Sequence, residues 1–380
     1  MTIHWCGTGL SSIPGLKRLI ASGTPVVVWN RTVEKARAAL GEEARDIRPF
    51  DAGALAAALA PGDVVVSMLP ADRHVELARA AIAAGAHFVS SSYIAPEMRA
   101  LDPEAKAAGV ALVNEVGLDP GIDHLMAHDL VADYRASGGH APETVLSFTS
   151  YCGGFPKHPN AFRYKFSWSP LGVLKALRSP SRSLRDFEPW DVARPWDAIR
   201  DFDAPLPSPE RFEVYPNRDS LPFMADYGFD PDWRVREFVR GTLRLGGWSE
   251  AWAPVFAEIE RLQGPEGDAR LAEMAEGFWR EHAYAEDEPD RVVLFVGLKA
   301  ERDGVPVWHK SWAMDAWGDD RGSAMARLVS HPVALAVEAA AAGRLAPGVQ
   351  PAPNDPALVA EWMGEVGRLA QHLEKIDHLA

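Results

Sequence analysis

With 380 residues the chain is long enough for two or three structural units, and 47% hydrophobic against 24% charged residues excludes a disordered chain. Lys and Arg total 39 and Asp and Glu total 53, so the formal net charge is -14, a balance unsuited to general nucleic-acid or membrane-surface binding. Two cysteines, Cys6 and Cys152, exclude a disulfide framework and fit a reducing cytoplasm; no signal peptide is expected, and no stretch nears the ~20 apolar residues of a membrane span.

In chain order, Thr2–Cys6 reads as a strand and Pro25–Trp29 as a second. Asp63–Met68, His87–Val89 and Val110–Val113 read as three more, with helical patterns such as Thr32–Leu40 and His74–Ala84 between them. Strands alternating with helices imply right-handed βαβ units and a parallel sheet. The character changes after about residue 122. Val145–Tyr151 reads as a strand, and residues 185–235 are rich in Pro, Asp and aromatic residues. Helical stretches follow near Glu250–Leu262 and Asp268–Ala283, and Val292–Leu298 with Val305–Ala313 alternate like paired antiparallel strands. Gly322–Ala342 reads as a long Ala-rich helix and Pro356–Leu379 as a final amphipathic helix.

The first strand runs into Gly7-Thr8-Gly9-Leu10-Ser11-Ser12-Ile13-Pro14. Gly7 and Gly9 supply the tight turn and the close backbone approach that a pyrophosphate needs, and the helix behind them offers its N-terminal amides. Ser12 stands where the usual third glycine falls, so the fingerprint is incomplete; its place at the first strand–helix turn carries the dinucleotide reading. The competing reading is a Gly-rich turn without a ligand. Gly7, Gly9, Ser11, Ser12 and Ile13 are therefore cofactor candidates. The second strand ends in Trp29-Asn30-Arg31-Thr32. An acidic residue there would bind the ribose 2′-hydroxyl of NAD; Asn30 repels no 2′-phosphate and Arg31 can pair with one, which favours NADP over NAD. Ser67-Met68-Leu69 ends another strand and is a candidate wall on the nicotinamide side.

Further blocks follow: Ser91-Ser92-Tyr93, Asn114-Glu115-Val116-Gly117-Leu118-Asp119-Pro120-Gly121, Ser150-Tyr151-Cys152-Gly153-Gly154, Tyr164-Lys165-Phe166-Ser167-Trp168, Tyr215-Pro216-Asn217-Arg218-Asp219-Ser220 and Arg240-Gly241-Thr242-Leu243-Arg244. These blocks, in this order, resemble hallmark segments of the saccharopine dehydrogenase family in its glutamate-forming type, and the resemblance covers about residues 1–345. It implies an α/β protein: a Rossmann-type doubly wound parallel sheet over 1–122, rejoined by helices about 322–380, and a mixed α/β substrate-binding and dimerisation domain over 123–321 with a helical insertion. It also implies a homodimer that interconverts saccharopine, NAD(P) and water with L-glutamate and aminoadipate semialdehyde. Ser169-Pro170 and the Ser67–Pro70 loop depart from the family pattern, and the last 35 residues are more helical than it leads one to expect.

A substrate with three carboxylates and two amines needs fixed cations and at least one anion. Arg218 is the leading cation, since its planar fork suits a carboxylate; Lys165 and Arg244 are the others. Glu115 and Asp119 follow a strand and can hold the ammonium, and Asp119 with Tyr93 is the candidate acid/base pair. Trp168, Cys152 and Thr242 are candidate pocket walls and contacts. For each the bland alternative is packing, a salt bridge or a loop bond. Asp123, His124 and His128 lack the pattern of a metal site, and no metal is expected. Two other functions stay open: a related amine and carbonyl coupling of the carboxyspermidine type, and a non-catalytic dinucleotide-binding protein.

Overall fold

Among the described residues, 1–44 and 46–380 of a computed structural model, the strands in chain order are β1 (Ile3–Cys6), β2 (Val26–Asn30), β3 (Asp46–Pro49), β4 (Val64–Ser67), β5 (His87–Ser90), β6 (Ala111–Val113), β7 (Val145–Pro156), β8 (Ser181–Arg185), β9 (Glu188–Val192), β10 (Arg200–Ala204), β11 (Glu210–Pro216), β12 (Arg234–Leu245), β13 (Asp290–Arg302), β14 (Val305–Trp317), β15 (Gly348–Gln350) and β16 (His372–Asp377). They fall into two units, Met1–Leu125 with Met325–Val366, and Met126–Ala324 with Gly367–Ala380.

The first unit holds a parallel sheet in the order β15-β6-β5-β4-β1-β2-β3. Its centre reads Ile-His-Trp-Cys and Val-Val-Val-Ser, and every one of these residues is buried. Such runs suit a sheet covered on both faces, where β-branched side chains pack against helices. The chain leaves β1 towards β2 and β3, then returns to β4 on the other side of β1. That reversal opens a crevice at the carboxyl ends of β1 and β4, where Gly7 and Ser67 sit. This is the doubly wound α/β class expected. Two of its strands escape pattern reading. β3 has only four residues, none fully buried, and β15 has three.

The second unit is a mixed sheet in the order β10-β11-β12-β7-β13-β14-β16, with β8 and β9 pairing beside β12. Only β12 and β7 run parallel along that order; the other neighbours are antiparallel. Helices Trp248–Ile259 and Gly264–His282 form the insertion between β12 and β13. Their buried faces carry Trp248, Trp252, Phe256, Leu271 and Met274, packed with Tyr164, Phe166 and Tyr215.

The C-terminus corrects the helical expectation. The helix spans Pro356–Leu369 and stops, and His372–Asp377 becomes β16. Its backbone pairs with β14 from Asp315↔His372 to Lys310↔Asp377, so strand partners replace the helical bonds that the amphipathic pattern suggested. This pairing puts Gly367–Ala380 in the second unit rather than with the returning helices. The Ala-rich helix runs Ala324–Ala341, with the Ala324 amide donating to Asp290 Oδ1 at 2.7 Å. Among the described residues no helix is long and apolar enough to cross a membrane.

Candidate functional site

The glycine turn is built to receive a ligand backbone-first. Gly7 has φ +100°, and a Cβ there would lie 2.9 Å from the Met68 carbonyl oxygen, so only glycine fits between the turn and the β4 loop. A Cβ on Gly9 would meet nothing within 4 Å. The space in front of Gly9 is open, as a diphosphate cradle requires. The buried Trp5 indole donates to the Gly7 carbonyl at 2.9 Å. Asn30 Oδ1 accepts the Thr8 amide at 3.1 Å, and its Nδ2 donates to the Thr32 carbonyl at 2.8 Å. Asn30 thus ties the end of β2 to the turn. Arg31 is exposed and forms no ion pair among the described residues, so its guanidinium is available to an incoming anion. Ser11 and Ile13 flank the first helical turn half-buried, while Ser12 is buried beneath it.

The third small residue of the motif is displaced rather than lost. Gly15, in helix Ile13–Ala21, is where another chain segment comes closest: a Cβ there would sit 2.0 Å from the Ser330 carbonyl oxygen. Its amide donates to Ser330 Oγ at 2.8 Å, and that hydroxyl donates to the Ala326 carbonyl. The glycine spacing was visible in the sequence; its packing partner, more than 300 residues away, was not.

Side chains at the carboxyl ends of β4, β5 and β6 are linked to one another. His74, which opens helix His74–Ala84, bridges Ser67 Oγ through Nδ1 and Ser92 Oγ through Nε2, both at 2.8 Å. Burial pushes its pKa down to about 4, so the ring is neutral near pH 7. The Glu115 carboxylate, buried and at φ +56°, accepts the Ile94 amide at 2.8 Å and meets His124 Nε2 at 3.0 Å. Both oxygens of Glu115 therefore hold protein groups, and the residue orders the loops as well as supplying charge. The Tyr93 hydroxyl donates to Asp119 Oδ1 at 3.0 Å, which brings the two acid/base candidates together. Sequence reasoning gave no role to His74 and did not foresee the pairing of His124 with Glu115.

In the second unit, two candidates, Thr242 and Cys152, share one row with Tyr215. Tyr215 of β11 opposes Thr242 of β12, which opposes Cys152 of β7. Cross-strand partners face the same side, so these three side chains line one patch, and Arg240 and Arg244 join it at two-residue spacing along β12. Arg244 is only 6% exposed, lies 4.9–5.6 Å from the ring centres of Tyr164, Tyr215 and Trp248, and its Nε has no hydrogen-bond partner among the described residues. No carboxylate pairs with it among the described residues, and its cross-strand neighbour Glu213 gives both oxygens to the amides of Gly247 and Ser249. A buried cation without a counter-ion is costly unless an anion arrives. Burial pushes the Tyr215 phenol up, against the pull of the Arg244 charge.

The remaining candidates occupy loops. Arg218 is exposed, at φ +57°, in the turn after β11. That turn is tied to β12 by Asn217, whose Nδ2 donates to Thr242 Oγ1 at 3.1 Å. Lys165 pairs with Glu288 and donates to the Ala283 carbonyl, so its ammonium already clamps the end of the helical insertion. Trp168 is 38% exposed and packs over Gly172 at the start of helix Pro170–Arg178.

Fold and site together define a dinucleotide-binding α/β protein whose second unit carries a buried arginine in a patch with Tyr215, Thr242 and Cys152. The description "Saccharopine dehydrogenase NADP binding domain" matches residues 4–113, and "Saccharopine dehydrogenase C-terminal domain" matches residues 117–369. The chain belongs to the saccharopine dehydrogenase family. It is 37% identical over 252 residues to saccharopine dehydrogenase [NADP(+), L-glutamate-forming] of Pyricularia oryzae, over 64% of this chain and 54% of that protein. The chain thus spans about half the length of the curated relatives it matches. The structure of saccharopine dehydrogenase (L-Glu forming) from Saccharomyces cerevisiae superposes with a TM-score of 0.82 at 26% identity, over 99% of both chains. Homospermidine synthase from Legionella pneumophila, solved with NAD, superposes at 0.68 over 99% of this chain and 91% of that one; at 8% identity it shares the fold alone.

Proposed function

We propose that the protein is an NADP-dependent saccharopine dehydrogenase of the glutamate-forming type, working as a cytoplasmic homodimer. The observation that carries this reading is Arg244: a buried guanidinium with no carboxylate of its own, beside Thr242, Cys152 and Tyr215. Saccharopine supplies the missing anion. In the second unit, Arg244 and the loop residue Arg218 are the groups suited to its carboxylates; in the first, the Glu115–Asp119 segment is the one suited to an ammonium. Lys165 positions the insertion, and Trp168 walls the pocket. A polyamine substrate is disfavoured, because a polycation leaves Arg244 without a partner.

Gly7 and Gly9 would hold NADP, Arg31 would pair with its 2′-phosphate and the Ser67–Leu69 loop would wall the nicotinamide side; the cofactor would supply the hydride acceptor. The protein does the rest. The secondary nitrogen gives up a proton as the hydride leaves the neighbouring carbon, and the Tyr93–Asp119 pair takes it. Water then adds to the imine, and the carbinolamine breaks to glutamate and the semialdehyde. The products balance as one reduced cofactor, one glutamate, one aldehyde and one released proton. The test is direct. Purified protein with saccharopine and NADP should form NADPH and glutamate in equal amounts; no turnover with saccharopine and either nicotinamide cofactor overturns the reading.

A further inference from the structure

We infer that His74 is a positioning residue whose tautomer sets the direction of the Ser92 hydroxyl, leaving the Ser92 proton as a donor for the bound substrate. The inference rests on the function proposed above and adds a residue to it. It starts from a hydrogen-bond count. Ser67 is 1% exposed, and its hydroxyl makes one side-chain hydrogen bond among the described residues, to His74 Nδ1 at 2.8 Å. A buried hydroxyl proton is placed on an acceptor whenever one is in reach, and here the acceptor is Nδ1.

Once Nδ1 accepts, a neutral imidazole carries its proton on Nε2, so His74 donates to Ser92 Oγ at 2.8 Å. Burial keeps the ring neutral, with its pKa about 4. Ser92 therefore receives a hydrogen bond and keeps its own proton uncommitted. Unlike Ser67, it is only partly buried, and it lies just past the carboxyl end of β5, beside Tyr93 of the Tyr93–Asp119 pair. In such sheets that edge is where ligands bind. The opposite tautomer would make Ser92 donate into the ring and would strand the Ser67 proton in the core. The backbone fixes the position of Ser92 independently, since its carbonyl accepts the Glu115 amide at 3.0 Å. His74 thus acts on the orientation of the hydroxyl, not on the path of the chain.

Two measurements test this, and they separate it from the substrate assignment. Selective ¹⁵N-histidine labelling, with the His74 signals assigned by their loss in His74→Gln, reads the tautomer without any turnover. A neutral Nε2–H ring at pH 7 is expected; an Nδ1–H ring or an imidazolium overturns the inference whatever the substrate proves to be. The second is a variant series. A glutamine amide at position 74 reaches Ser92 and can donate to it, whereas asparagine reaches only Ser67 and phenylalanine neither. His74→Asn and His74→Phe should raise the saccharopine KM about five- to ten-fold with NADPH affinity little changed, and His74→Gln should stay within about two-fold of wild type. Should His74→Phe fail to fold, the Asn and Gln pair still decides. Equal KM values for those two, or losses that follow thermal stability instead of the Ser92 contact, overturn the inference.

Discussion

At the scale of single residues, charge without a partner is the most informative feature. Arg244 is buried with no carboxylate paired to it among the described residues, and aromatic faces return only part of the hydration a guanidinium loses. Arg244→Met fills similar volume without the charge. Its thermal midpoint should match or exceed wild type, while saccharopine KM rises roughly ten- to two-hundred-fold, from about 1.5–3 kcal/mol for charged hydrogen bonds. A lower midpoint with an unchanged KM would show that Arg244 serves packing alone. Arg31 is the exposed counterpart. Arg31→Ala should lower kcat/KM for NADP roughly ten- to two-hundred-fold, the same 1.5–3 kcal/mol range, and spare NAD. A wild-type preference for NAD that the substitution leaves unchanged would contradict the 2′-phosphate role. Both arginines were legible in the sequence as cations in motif blocks. What set them apart was not: burial without a counter-ion and exposure without one are properties of the fold. His74 was less legible still, since a histidine at the start of an Ala-rich helix carries no local sign that its two nitrogens bridge the loops after β4 and β5.

At the scale of elements, the glycines of the first turn and helix divide their work between ligand and fold. Gly9 faces open space and Gly15 faces the Ser330 backbone at a distance no side chain can occupy. Gly9→Ala should therefore keep or slightly raise thermal stability, by up to about 1 kcal/mol through a stiffer unfolded chain, yet weaken NADPH binding. Gly15→Ala should do the reverse at first hand: overpacking costs about 1–3 kcal/mol, and the midpoint falls. Thermal melts with and without NADPH check both, and equal behaviour of the two variants would mean that the turn and helix have been assigned the wrong tasks. The sequence pattern located β1, β2, β4, β5 and β6 because long-buried apolar runs are stable against changes of partner. It missed β3 and β15, which are short and take their structure from a neighbouring strand, Trp29↔Arg48 in one case and Leu112↔Val349 in the other. β16 was read as helix because His-Leu-Glu-Lys-Ile-Asp fits either period over six residues, and only the edge of β14 decides between them.

For the whole molecule, the proposed function raises the question of which of two carbon–nitrogen bonds of saccharopine would be opened. Both cleavages use the same cofactor and the same amine, so the Rossmann-type unit alone cannot distinguish them. The difference lies in the carbon that loses hydride. In the glutamate-forming reaction it is a methylene with no carboxylate attached; in the lysine-forming reaction it is the α-carbon of the glutamyl portion. A protein with a net charge of -14 gives a polycarboxylate no long-range attraction, so on the proposed function its position would be set by local cations such as Arg244 and Arg218. On that reading, cations on the carboxylates leave the unbranched methylene as the uncharged segment free to give up hydride. Glutamate with aminoadipate semialdehyde and NADPH should accordingly support rapid cofactor oxidation, and lysine with 2-oxoglutarate little. Initial rates with the two pairs at matched concentrations measure the preference. Because lysine with 2-oxoglutarate builds the same skeleton through the other bond, a faster rate with that pair would leave the family and fold standing and reverse the assigned chemistry.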